Sequence, residues 1–365
     1  MSEARRYFST ELLRWYKRER RDLPWRRTKD PYHIWVSEIM LQQTRVETVI
    51  PYFNRFVGRF PTLRELAEAP EEDVLKHWEG LGYYSRARNL QAAVREVVSG
   101  YGAQVPSEKK AVSGLKGVGP YTAGAILSIA YNQPEPAVDG NVMRVLSRYF
   151  LLEDDIAKPA TRVGMESLAA ALIPEGEASD FNQALMELGA MVCTPKSPSC
   201  GDCPVALHCM AREAGREREL PVKSKAKPPK PVARVAALVE GVGRHAGQVL
   251  VRQRPGTGLL ASMWELPHIE TADAAVWEDP AAAGRLAAAA LAEEGLRVRP
   301  TEHLADAQHV FTHLVWQVRV IGAAPLEELR LPAHYRWVGP EEFENYSWPN
   351  VFRKLLTEYF ISRPH

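Results

Sequence analysis

Four cysteines stand within seventeen residues, as Cys193-x6-Cys200-x2-Cys203-x5-Cys209, and the rest of the 365-residue chain has none. Such a cluster suits either disulfides, in any of three connectivities, or a metal site. A chain in a reducing compartment, long enough to bury a core, does not need covalent staples. Structural zinc usually joins two tight C-x2-4-C knuckles. Here one pair is tight and the other gaps are wider, so the spacing favours a cubane iron–sulfur cluster over zinc. Two carboxylates also stand out. Glu38 in HIWVSEIMLQQT lies among Ile34, Trp35, Val36, Ile39, Met40 and Leu41. A helix there sets its carboxyl beside an apolar face, where desolvation raises the pKa toward that of a general acid; the alternative is an exposed glutamate in a first turn, favoured by the helix dipole. Asp139 in EPAVDGNVMRVLSRYF precedes a helix and suits an N-cap; equally, it can be a second carboxylate held beside a developing positive charge. In LKGVGPYTAGAILSIA, Gly117, Val118 and Gly119 end one helix and Pro120 starts the next. Such a turn presents free N–H groups that suit a phosphate, or it is a plain helix–helix connection.

The elements that must carry these residues change character along the chain. To about residue 220, apolar residues recur at helical spacing, as in TLRELAEAPEEDVLKHWEGL and SRARNLQAAVREVVSGY. The segment 221–231, PVKSKAKPPKP, holds four prolines and four lysines and reads as a semi-extended linker. Beyond it, VARVAALVEG, GQVLVRQRP, TEHLADAQHVFTHLVWQVRVIGA and HYRWVGPEEF alternate like strands, with helices expected at 275–295 and 349–361. The fold class is therefore multidomain, all-α over 1–220 and α+β over 232–365. Hydrophobic residues at 45% and charged residues at 25% exclude a disordered, collagenous or disulfide-scaffold protein. The net charge of +1 hides an asymmetry: residues 1–60 hold 13 Lys/Arg against 7 Asp/Glu, while 232–365 hold 13 against 16. A polyanion gripped on one face fits that distribution, as do solvated helix faces. Without a signal-like or membrane-length apolar run, a soluble cytoplasmic protein is expected, nucleoid-associated if prokaryotic.

Taken in order, Glu38 in SEIMLQQT, LGYYSRARNL, LKGVGPYTAG, Asp139 in VDGNVMRV and the cysteine loop resemble the helix-hairpin-helix DNA glycosylases of the endonuclease III superfamily, most closely the adenine-specific ones. The resemblance implies a hairpin at about 106–130 that clamps phosphate through Gly117, Val118 and Gly119. It also implies a [4Fe-4S] cluster on Cys193, Cys200, Cys203 and Cys209. Bifunctional lyases of the superfamily carry a lysine after the hairpin that forms a Schiff base; here the position is Tyr121, which cannot, and Lys116 precedes the turn. A monofunctional enzyme is expected. The resemblance makes Glu38 the acid that protonates adenine, Asp139 the carboxylate facing the anomeric carbon, and Tyr121 and Asn141 the groups that orient them. Gln43 and Tyr83 are similar to residues that enter the base stack, and Arg21, Trp25 and Arg26 to residues near the base pocket or the DNA backbone.

The C-terminal region resembles the Nudix fold, but Ala289 and Ala290 stand where the catalytic Arg-Glu pair belongs when Glu293 and Glu294 are aligned with the acidic pair. The resemblance implies a lesion-recognition module whose Phe-Ser-His loop is Phe311-Thr312-His313 here, with an added methyl at Thr312. The expected partner is double-stranded DNA with 8-oxoguanine:adenine or guanine:adenine mispairs, bound by a monomer that touches no membrane. A non-catalytic lesion-binding protein and a nucleotide pyrophosphatase are the alternatives.

Overall fold

A computed structural model of the chain describes residues 3–225 and 227–362. Residues 1–2, 226 and 363–365, at the ends of the expected domains and inside the expected linker, lie outside the described residues. Two compact units form: Met1–Ala69 with Arg86–Lys225, and Pro70–Ser85 with Ala226–His365.

Helices run in the order α1 (Glu3–Glu19), α2 (Pro31–Leu41), α3 (Val46–Arg59), α4 (Leu63–Glu68), α5 (Glu71–Trp78), α6 (Ser85–Gly100), α7 (Lys109–Gly114), α8 (Pro120–Tyr131), α9 (Gly140–Tyr149), α10 (Pro159–Leu172), α11 (Ala178–Met191) and α12 (Met210–Glu213). All but α5 lie in the first unit, which is helical throughout. Its main core joins Phe8 and Tyr16 of α1 to Val142, Leu146 and Tyr149 of α9 and Phe181 and Leu188 of α11. The middle of α2, Ile34–Met40, is buried throughout, and its one carboxylate, Glu38, is buried with it. Asp30 starts this helix by accepting the Tyr32 N–H at 2.8 Å, with Pro31 preset at the first position.

The second unit is α+β. Strands β1 (Lys230–Val239), β2 (Val249–Gln253), β3 (Trp264–Glu265), β4 (His268–Thr271), β5 (Val298–Val310), β6 (Leu314–Pro325) and β7 (Tyr335–Val338) form two sheets, ordered β4-β1-β6-β5 and β3-β2-β7. Only the β1–β6 pair is parallel. Helices α13 (Ala275–Glu278), α14 (Pro280–Glu293) and α15 (Asn350–Ser362) complete it. The helix expected over 275–295 is thus two, because Asp279 caps a fresh start by accepting the Ala281 and Ala282 N–H groups ahead of Pro280. The long β run around 298–325 is a hairpin, closed where the Phe311 N–H donates to the Leu314 carbonyl at 2.8 Å. Among the described residues no helix is long and apolar enough to cross a membrane.

Candidate active site

In the first unit, α2, α8, α11 and the start of α9 enclose a cavity of about 150 Å³ that both predicted carboxylates line. Glu38 is only 4% exposed. The Tyr121 hydroxyl, from the first turn of α8, donates to Glu38 Oε2 at 2.5 Å. Burial pushes the Glu38 carboxyl up to about 7; the Tyr121 bond and Arg26 pull it down, and the Asp139 charge pushes it further up. The Tyr121 phenol is itself raised by burial and by the two carboxylates, so it remains a donor. Its oxygen also lies 3.2 Å from Met186 Sδ on α11.

Asp139 caps α9 with one oxygen and is tied to Asn141 by the other. Oδ1 accepts the Val142 N–H at 2.8 Å, and Oδ2 accepts Asn141 Nδ2 at 2.9 Å. Its pKa is raised, because burial outweighs these donors and the Arg144 charge. Both oxygens accept a hydrogen bond. Asn141 is in turn oriented by Arg144, whose Nη2 donates to Asn141 Oδ1 at 2.7 Å and to the Gly189 carbonyl at 2.8 Å. The same guanidinium donates through Nε to the Cys193 carbonyl at 2.7 Å. The cap motif at Asp139 therefore serves two ends: it starts the helix and sets the residue on the cavity wall.

Arg21, Trp25 and Arg26 line the same cavity. Trp25 is buried edge-on against Phe53 at 5.5 Å. Arg21 and Arg26 both form bidentate pairs with Glu187, with N–O distances of 2.8–3.0 Å. Those bonds hold the Glu187 carboxyl down to about 2 against its own burial. Glu187 was missed by sequence reasoning, although ALMELGAM shows the same signal as the Glu38 segment, a lone acid inside an apolar helix.

The hairpin residues stand apart from the carboxylates. Gly119 caps α8, Val118 is buried, and Gly117 sits at φ +77° where an added Cβ would come within 2.7 Å of Asn89 Cβ. Pro120 has no N–H, so the N–H groups of Tyr121 and Thr122 are the first free donors of α8. Gln43 is exposed beyond α2 in a left-handed conformation, φ 59°. In the second unit, Phe311, Thr312 and His313 form the tip of the β5–β6 hairpin, with Phe311 packed on Trp316 at 5.0 Å. Tyr83, 229 positions earlier, meets this tip: its hydroxyl lies 3.1 Å from Thr312 Oγ1. Neither sequence motif announced that meeting. Glu294, of the aligned acidic pair, is bound by Arg252 at 3.4 Å, Tyr335 at 3.0 Å and His334 at 3.1 Å.

The expectation of a [4Fe-4S] cluster is corrected by the structure. Among the described residues, which include Cys193, Cys200, Cys203 and Cys209, no group of three or more His, Cys, Asp or Glu side chains is arranged to hold a metal ion, and the four cysteines are free. Cys193, Cys203 and Cys209 pack against the apolar core instead. Burial pushes the Cys203 thiol up to about 12 and also raises Cys200 and Cys209. All four line one small pocket beside Arg148, whose Nη1 donates to Cys193 Sγ at 3.3 Å.

A buried acid raised to about 7, a second buried carboxyl on the same small cavity and a glycine hairpin at a helix start stand together in this unit. Residues 36–170 match the family model of the HhH-GPD superfamily base excision DNA repair proteins, and residues 239–358 match that of the NUDIX domain. Human adenine DNA glycosylase is 35% identical over 98% of this chain and 74% of its own length; that of Schizosaccharomyces pombe is 30% identical over 93% and 86%. A thermostable thymine-DNA glycosylase is 31% identical, with a TM-score of 0.54 over 58% of this chain and 98% of its own. The chain belongs to the adenine DNA glycosylase family, glycosidases that act on DNA.

Proposed function

We propose that the chain hydrolyses the N-glycosidic bond of adenine in duplex DNA, acting on adenine opposite 8-oxoguanine and opposite guanine. The observation that carries this reading is the placement of Glu38 and Asp139 on one cavity with unequal surroundings, one buried among apolar groups and the other accepting N–H donors. The glycosidic bond breaks toward an oxocarbenium-like sugar. Glu38 in its protonated form donates to the leaving base, which otherwise departs as a poor anion; such help is worth about 10²- to 10⁴-fold. Asp139 as carboxylate stabilises the cation, and Asn141 holds the aspartate's second oxygen in place. Tyr121 donates to Oε2 of Glu38, which leaves Oε1 to carry the proton, and supplies no amine, so release of the base leaves an intact abasic strand.

Extrusion of the adenine costs a few kcal/mol, which a mispair reduces. Gln43 and Tyr83, both exposed and both in left-handed conformations, suit entry into the stack; the free N–H groups at the start of α8, with Gly117, Val118 and Gly119, suit a phosphate. Phe311, Thr312 and His313 are assigned to the base opposite. The thymine-specific likeness spans little beyond the helical unit, whereas the adenine-specific relatives extend across the second unit as well. A pyrophosphatase is disfavoured because Glu294 is engaged by Arg252 and Tyr335 instead of standing open to a metal ion.

The test is single-turnover cleavage of an 8-oxoguanine:adenine duplex, with hot alkali used to reveal abasic sites. The native chain should cut the adenine strand only after alkali. Glu38→Gln should keep mispair affinity and lose at least about a hundredfold in base release. An uncut strand with the native chain would leave a binding protein without catalysis; full activity in Glu38→Gln would remove the acid from its role.

A further inference from the structure

A buried carboxylate of the second unit has no part in the chemistry above. Glu79, at the end of α5, is 7% exposed. Its Oε1 accepts the Trp348 N–H at 3.0 Å, and its Oε2 accepts Arg353 Nη1 at 2.5 Å and Lys76 Nζ at 2.8 Å. A carboxylate this enclosed is tolerated because cations and an N–H saturate it.

Glu79 leads directly into a turn that needs holding. Gly80 (φ 101°), Gly82 (φ 71°) and Tyr83 (φ 47°) all lie in the left-handed region within four residues. For Tyr83, which carries a Cβ, that conformation is strained, and the surroundings must offset it. The turn closes on itself through the Trp78 indole N–H to the Gly82 carbonyl, at 3.2 Å, and docks again where the Tyr84 hydroxyl approaches the Trp348 carbonyl at 3.5 Å. Its outward product is a Tyr83 ring 49% exposed, with the hydroxyl 3.1 Å from Thr312 Oγ1.

The hairpin tip bearing Thr312 is backed by the same helix. Phe352, the neighbour of Arg353 on α15, lies 6.5 Å from Trp316, on which Phe311 packs at 5.0 Å. Adjacent residues of α15 thus anchor the Tyr83 turn and support the 311–313 tip.

We propose that Glu79 is a positioning residue for discrimination of the base opposite the target: it pins the Tyr83 turn to the start of α15 and so sets Tyr83 against Thr312, and the two read that base as one element. This rests on the assignment of Thr312 and Tyr83 to DNA made above.

The experiment measures single-turnover adenine release from 8-oxoguanine:adenine and guanine:adenine duplexes and takes the ratio, using the full chain. Glu79→Ala should lower the ratio about tenfold while release from the guanine duplex stays within about twofold of native. Glu79→Gln, which keeps an acceptor for the Trp348 N–H but loses the charge met by Arg353 and Lys76, should fall between the two and serves if the alanine variant does not fold. Tyr83→Phe should lower the ratio as well, and adding Glu79→Ala to it should lower it no further. An unchanged ratio in both Glu79 variants, or a loss additive to that of Tyr83→Phe, overturns the proposal. An unchanged ratio in both Tyr83→Phe and Thr312→Val overturns instead the assignment of the tip to lesion recognition.

Discussion

At the scale of single residues, the site depends on two acids kept in different states within one cavity. Glu38 is held near 7 chiefly by loss of water, and the Tyr121 bond recovers part of that cost. Because the folded-state value is raised, the proton is present below about pH 7 and lost as the pH rises through it. Base release under single-turnover conditions should therefore fall as the pH climbs from roughly 6 to 9, nearing tenfold per unit at the upper end. A rate that stays flat over this range, or one already half lost near the ordinary glutamate value of 4.5, would show that Glu38 is not the proton source. The apolar neighbours of Glu38 made its burial legible in the sequence. Glu187 carried the same local signal but went unread, because its meaning lies in Arg21 and Arg26, more than 160 positions away. The cysteines illustrate the reverse: their clustering was plain, yet spacing does not encode the packing that leaves three of them against the apolar core.

At the scale of elements, the geometry of Asp139 is set by how closely α9 and α11 approach. A Cβ on Gly189 would come within 2.6 Å of Asn141 Cβ and 3.1 Å of its Cα. Gly189→Ala must therefore push the start of α9 away, at a cost of about 1–3 kcal/mol in stability. The shift also strains the Arg144 bonds to Asn141 and Gly189, so base release measured well below the melting temperature should fall roughly ten- to a hundredfold. Gly164→Ala in α10, where an added Cβ meets nothing within 4 Å, should keep the native rate. Equal rates in the two variants would detach Asp139 from the α9–α11 contact. Helical periodicity and the glycine–proline punctuation made most of these elements readable. The break at Asp279 was missed because the alanine-rich stretch on either side reads as one continuous helix, whereas the cap that divides it is a matter of two N–H groups.

At the scale of the whole molecule, the two units are not two consecutive halves of the sequence. The stretch 70–85 clusters with residues beyond 226, through Lys76 to Glu344 and the Tyr346 carbonyl, Glu79 to Trp348 and Arg353, and Glu72 to Gln253. These partners lie about 180 to 270 positions away, so no local pattern in TLRELAEAPEEDVLKHWEGL could disclose them. Hydrogen exchange on the full chain and on one ended after Lys225 measures what those contacts are worth. Ending the chain there removes every one of those partners and uncovers a carboxylate and a tryptophan that are buried in the native fold. Amides of residues 71–84 should then exchange at least about a hundredfold faster, while those of α2, α8 and α9 stay within about tenfold of native. Equal protection of 71–84 in both chains would mean that the first unit alone suffices to order this stretch. The shortened chain also lacks Thr312, the partner of the Tyr83 hydroxyl, so Tyr83 loses that contact as well.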